Sequence, residues 1–208
     1  MFQQPSQQGV QANGSDLVVR PLFGGAMSIL LPVHYLDASN FREIPDNQEV
    51  WTDNLEVPTS SGGGVQSSSC PSVIIEILSR SENVSDAKIM DFLFHDLADA
   101  NHAAVNQRFL LLQPFDDTQQ TRANNFPMAD YATGAVGKMM VEKNRGMDEV
   151  TVFLWVVRLK HVDTDILISL NDPVVKYSSA DEASQSPRMK LFETIVRSLK
   201  VNDWNLFA

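Results

Sequence analysis

Residues 150–170, VTVFLWVVRLKHVDTDILISL, decide how the chain is read. The first ten are β-branched, aromatic and nearly all apolar, which predicts a central strand buried on both faces. His161-Val162-Asp163-Thr164 supplies turn chemistry, and Ile166, Ile168 and Leu170 then share one face of a second strand. The pair is the strongest hairpin signal in the chain, so the fold is built on antiparallel pairing. Asp163 and Asp165 are a carboxylate pair of the kind an enzyme could use. Turn chemistry accounts for them at a hairpin tip, and no general base, nucleophile or metal cluster stands near them in sequence.

Working outward, residues 176–185 are polar and predict a mobile loop. Ser186 then caps a helix with Pro187 at its first position, where a missing N–H costs nothing. Leu191, Phe192, Ile195, Val196 and Leu199 form its apolar stripe, and Trp204, Leu206 and Phe207 are placed to pack the terminus on the core. On the N-terminal side, residues 131–141 alternate as a strand that bends at Gly134 and Gly137. RFLLLQPF, at 108–115, is a further strand ending at Pro114. Ile89, Met90, Leu93, Phe94, Leu97 and Ala98 carry helical spacing with Ser85 as the cap, and read as core. Val73, Ile74, Ile77 and Leu78 are spaced as a second helix, capped by Ser72.

Residues 58–72, PTSSGGGVQSSSCPS, predict a flexible linker inside the domain. Two short strands are expected at 26–31 and 49–52, the first stopped by Pro32. Residues 1–19 are rich in Gln, Ser, Gly and Asn and predict a disordered tail. The expectation is a single α+β domain over 20–208, with a largely antiparallel sheet of about six strands flanked by helices.

The whole chain of 208 residues is 43% hydrophobic, with 26 acidic against 16 basic residues and a net charge of −10. That balance opposes nucleic acid and anionic membrane surfaces and favours a basic protein partner. No apolar run approaches the roughly 20 residues that span a bilayer, and the start has no signal-peptide pattern. A single Cys70 fits a reducing compartment and, in a Ser/Gly setting, reads as inert. Gly134 to Met139 fails as a phosphate-binding loop in spacing and final hydroxyl, and Gly62 to Gly64 is linker. His95 and His102 would lie about 10 Å apart along one helix, too far for one metal without other ligands. Met139-Met140 reads as strand packing. The sequons at Asn13 and Asn83 carry no weight without a secretory signal. No cofactor, metal site or catalytic residue is expected.

One feature resists a bland account. Between Asp37 and Glu56 lie Asp37, Glu43, Asp46, Glu49, Asp53 and Glu56, with Arg42 the only opposing charge. Six acids against one base give −5 in 20 residues, half of the chain's total. Pro32, Pro45 and Pro58 limit how far these charges can relax apart. They describe a fixed acidic surface that complements a basic partner.

Pro21-Leu22-Phe23-Gly24-Gly25-Ala26 followed by Ile44-Pro45-Asp46-Asn47-Gln48-Glu49-Val50 resembles the signature of the Ran guanine nucleotide release factor family. LKHVDTDILIS at 159–169 and VNDWNLF at 201–207 resemble two further blocks of it, so the resemblance spans 21–207. It implies a PsbP-like α/β/α sandwich and a nuclear and cytosolic protein acting by binding; a monomer is the default expectation, and no enzyme is expected. It also implies binding to the small GTPase Ran, release of its bound nucleotide and support of nuclear import. By the same resemblance Asp46 and Glu49 are the Ran-binding acids, facing one way from a proline-started turn, with Asp37 and Glu43 in the surrounding field. The alternative is an adaptor that holds nucleotide-free Ran together with another exchange factor. Residues 58–71 and 116–130 show no match to the family.

Overall fold

The computed structural model describes residues 10–12, 15–53, 70–103, 108–143 and 146–208. Its first strands are β1 (Val10–Ala12), β2 (Ser15–Leu22), β3 (Met27–Pro32), β4 (Tyr35–Asp37) and β5 (Gln48–Asp53). They are followed by β6 (Ser72–Ser79), helix α1 (Ile89–Ala100), β7 (Arg108–Asp116) and helix α2 (Thr118–Asn124). The long strands β8 (Tyr131–Lys143), β9 (Gly146–Leu159) and β10 (Thr164–Asp172) come next. Helices α3 (Ala180–Ser184) and α4 (Pro187–Ser198) and the short β11 (Lys200–Val201) complete the chain.

The expected hairpin is the centre of the molecule. β9 and β10 pair antiparallel from Leu159 opposite Thr164 to Thr151 opposite Asp172, and every residue of 151–159 is buried. Seven strands form the main antiparallel sheet in the order β4-β5-β6-β10-β9-β8-β7. A second sheet, β1-β2-β3-β11, has four. The fold is therefore α+β as expected, with a main sheet one strand larger than the predicted six.

Alternation along the central strands creates two cores. Leu154, Val156 and Ala135 meet α1 through Met90, Leu93 and Phe94 on one face. Phe153, Trp155 and Val157 meet α4 and the small sheet on the other, through residues such as Phe192, Ile195 and Leu31. Gly137 serves close approach: a Cβ there would lie 2.4 Å from Cε2 of Phe94. Pro114 lies inside β7 rather than ending it. Because β7 is an edge strand whose register slips between Leu112 and Phe115, a missing N–H breaks no ladder there.

Four expectations are corrected. Residues 73–78 are strand β6, not helix, and Ser72 begins it instead of capping. Val73 and Ile75 are buried on one face, and β-branched residues between two neighbours favour the sheet over apparent helical spacing. The tail predicted through residue 19 contains strand at 10–12 and from Ser15 onward: β1 pairs with β2, Leu17 is buried and 17–22 pair with β3. Residues 1–9 lie outside those described, as does most of the linker predicted at 58–72. Residues 176–185 contain α3, where Ser179 accepts from the Glu182 N–H and the Glu182 carboxylate accepts from the Ser178 N–H. His102 falls beyond the end of α1, with a left-handed backbone, so it does not share a helix with His95.

Of the serine caps predicted for α4 and α1, one is borne out and one is not. Ser186 accepts from the Met189 N–H at 3.0 Å with Pro187 at the first helical position, whereas Ser85 flanks a 3-10 turn before α1 without a side-chain bond. No helix among the described residues is long and apolar enough to cross a membrane.

Candidate functional site

The acidic segment leaves the edge of the main sheet and returns to it. β4 pairs with β5, and the chain between them runs through a 3-10 turn, Ala38–Asn40, then an irregular stretch to a turn at Asp46-Asn47. Pro45 starts that turn, and the Gln48 N–H closes it on the Pro45 carbonyl at 2.9 Å. Asn47 fixes its orientation by exchanging backbone bonds with β6: the Ile77 N–H donates to the Asn47 carbonyl at 2.9 Å, and the Asn47 side-chain amide donates to the Ile77 carbonyl. Asp46 is therefore exposed on a turn whose neighbours are pinned, and Glu43 is exposed beside it.

Glu49 has a different setting. It enters β5 opposite Ile75, half-buried, and its Oε1 accepts the Phe23 N–H at 2.5 Å. Phe23, Gly24 and Gly25 have φ of 49°, 65° and 93°, three successive left-handed residues. For Phe23 that conformation costs on the order of 1–3 kcal/mol. A hydrogen bond to a carboxylate is worth about 1.5–3 kcal/mol, enough to offset it. Burial pushes the Glu49 carboxyl above its ordinary range; the Phe23 N–H opposes that, and nearby Asp37 adds to it. Asp46 and Glu49 thus do not present two equivalent carboxylates from one turn: one stands in water and one holds the Phe23-Gly24-Gly25 turn.

Asp37 also works locally. Its Oδ1 accepts from the Ser39 N–H at 2.8 Å and so caps the 3-10 turn Ala38–Asn40. Asp53 lies 3.7 Å from Nε2 of His34, and Glu56 lies outside the described residues. Arg42, the one opposing charge, is exposed. Sequence reading passed over Phe41, which is 73% exposed in the middle of this segment. A lone large apolar residue in a polar turn was the available signal.

The four sequence blocks that carry the resemblance meet around the glycine turn. Glu49 holds it from one side. From the other, the Asn202 N–H and the Asp203 N–H donate to the Ala26 carbonyl at 2.8 and 3.1 Å, and the Asn202 amide donates to the Gly25 carbonyl. Trp204 then packs at a tilt against His161 of the hairpin, 5.4 Å between ring centroids, and against Phe207. Blocks far apart in sequence are joined at one end of the fold.

The remaining candidate chemistry resolves into structure. Asp163 takes the left-handed turn position between β9 and β10. Asp165 is buried and accepts from Nε of Arg158 at 3.1 Å and from the Ser81 N–H at 3.2 Å. Met139 is buried in the core under α1, as strand packing predicts, and Cys70 is exposed. Among the described residues no three His, Cys, Asp or Glu side chains converge as a metal site.

The chain is similar to known proteins over most of its length. The family described as Mog1, Ran-interacting Mog1 protein, matches residues 20–173. The Ran guanine nucleotide release factor of Danio rerio is 30% identical over 198 residues, covering 91% of this chain and 99% of its own. The nuclear import protein MOG1 of Saccharomyces cerevisiae is 27% identical over 197 residues, covering 90% and 83%. Among solved structures, the Saccharomyces cerevisiae Ran-binding protein Mog1p superposes with a TM-score of 0.67 at 27% identity, over 94% of this chain and all of that one. A mutant of Mog1 gives 0.62 at 26% identity, over 92% and 99%.

Proposed function

The chain belongs to the Ran-interacting Mog1 protein family, and on that footing we propose that it binds the small GTPase Ran through the acidic face at 37–49 and promotes release of its bound guanine nucleotide, supporting nuclear protein import. The observation that carries this reading is exposed Asp46 on a turn pinned to the sheet edge, with exposed Glu43 three residues before it, inside the matched region. Asp46 and Glu43 meet the partner directly. Asp37 and Glu49 add charge from the second rank while fixing the turns on either side.

Release needs no covalent chemistry from this chain. A GTPase holds its nucleotide through basic and backbone donors on the phosphates and through magnesium. A carboxylate surface that binds Ran more tightly when those cations are turned away from the nucleotide lowers nucleotide affinity by that difference. The acidic field also speeds encounter, an effect that fades with salt. The protein acts as a monomer in nucleus and cytosol, with no cofactor.

Charge reversal tests the proposal. Asp46→Lys, alone and with Glu49→Lys, is compared with wild type by Ran pull-down and by the rate of GTP loss from Ran in a single turnover. The single variant is expected to weaken both activities. Retention of both by folded variants rules out the acidic face. Binding by wild type without faster release leaves the adaptor that holds nucleotide-free Ran beside another exchange factor.

A further inference from the structure

We propose that Phe41 is the apolar centre of the Ran-facing surface, a ring that buries against an apolar depression framed by basic side chains on Ran. The inference rests on the acidic face being that surface. At 73% exposure Phe41 is the most exposed large apolar side chain among the described residues. A phenylalanine left in water forgoes the burial that gives the residue its usual value in a fold. No packing requirement explains its place in a turn that is otherwise polar.

The ring is presented, not loose. Asp37 caps the preceding turn through the Ser39 N–H, and the Asn40 amide donates to the Asp37 carbonyl at 3.1 Å. The N–H groups of Phe41 and Arg42 both donate to the carbonyl of Ala38, at 3.0 and 3.1 Å, and Ala38 itself is buried. The backbone at Phe41 is therefore tied to the sheet edge before any partner arrives, which cuts the ordering cost of binding.

Its surroundings identify the occupant. Asp37 precedes the ring, Glu43 and Asp46 follow it, and Arg42 is the only opposing charge. A second copy of this chain or a nucleic acid would meet like charge there. A basic surface on Ran meets complementary charge at the rim and gains a desolvated aromatic contact at the centre, the arrangement in which a few aromatic residues carry most of the binding energy. Asp37 acquires a second role: holding the turn that displays Phe41.

The two contributions separate kinetically, because rim charges set the association rate and central packing sets dissociation. Wild type, Phe41→Ala, Phe41→Tyr and Asp46→Lys are passed over immobilised nucleotide-free Ran, with thermal unfolding as the check on folding. Phe41→Ala is expected to dissociate on the order of tenfold faster or more. Its association rate, salt dependence and melting temperature should stay unchanged, and Phe41→Tyr should behave as wild type. If Phe41→Ala dissociates at the wild-type rate while Asp46→Lys loses binding, the ring is not the centre and the acidic face stands. If all four bind alike, or none binds, the acidic face itself fails and the inference goes with it.

Discussion

Two groups of carboxylates are used in opposite ways. At the hairpin tip Arg158 is fully buried. It donates to Asp165, to Asp86 at 2.7 Å, and to the carbonyls of Ser81 and Val84 at 2.7 and 2.9 Å. Burial pushes the Asp165 carboxyl up while the Ser81 N–H and Arg158 pull it down. This network staples the 81–86 loop to the central strands. At one edge of the main sheet, Asp46 faces water on a pinned turn and Glu43 faces water on the stretch leading into it. The first group uses its charge inside the protein; the second leaves it open to solvent, where we propose that it meets a partner. Glu49 lies between, half-buried and committed to one internal N–H.

Arg158→Met sharpens the contrast most. It leaves Asp165 buried without its cation, and breaking such a pair costs about 3–5 kcal/mol. Denaturant unfolding measures the loss, and a change near zero would show that the staple is dispensable. Glu49→Ala comes next: removing the acceptor leaves the Phe23 N–H unmet in a strained turn, at a cost of about 1–3 kcal/mol. Glu49→Gln keeps an acceptor oxygen and removes the charge. Because burial raises the Glu49 carboxyl in the folded state, ionising it costs more folded than unfolded. That penalty is full at neutral pH and disappears as pH falls below the unfolded value of about 4.3. Glu49→Gln should therefore equal or exceed wild type in stability at pH 7, with the two converging in acid, as thermal melts across pH will show. Smallest in stability are Asp46→Lys and Glu43→Lys, which should leave the melting temperature where it is while weakening Ran binding.

The contrast also explains what the sequence made legible. The hairpin at 150–170 was readable because buried strands need continuous β-branched and aromatic residues. The helix at 187–198 was readable because a Ser-Pro start and a 3.6-residue stripe are local signals. β6 was misread because Val73, Ile74, Ile77 and Leu78 fit helical spacing, and only its two neighbours, β5 and β10, decide the matter. The short helix α3 carried a capping pair, Ser179 and Glu182, that the surrounding polarity hid. In the site, charge and motif pointed to Asp46 and Glu49 together. Their different roles depend on a contact between residues 23 and 49, which no spacing along the chain reveals.

The central claim is that exposed carboxylates of the 37–49 segment meet Ran. Its most direct test is the association rate of wild type and Asp46→Lys with Ran as ionic strength is raised. The wild-type rate should fall steeply with salt, and the Asp46→Lys rate should start lower and change less. Identical rates with identical salt dependence, from a variant that melts as wild type does, would contradict the account.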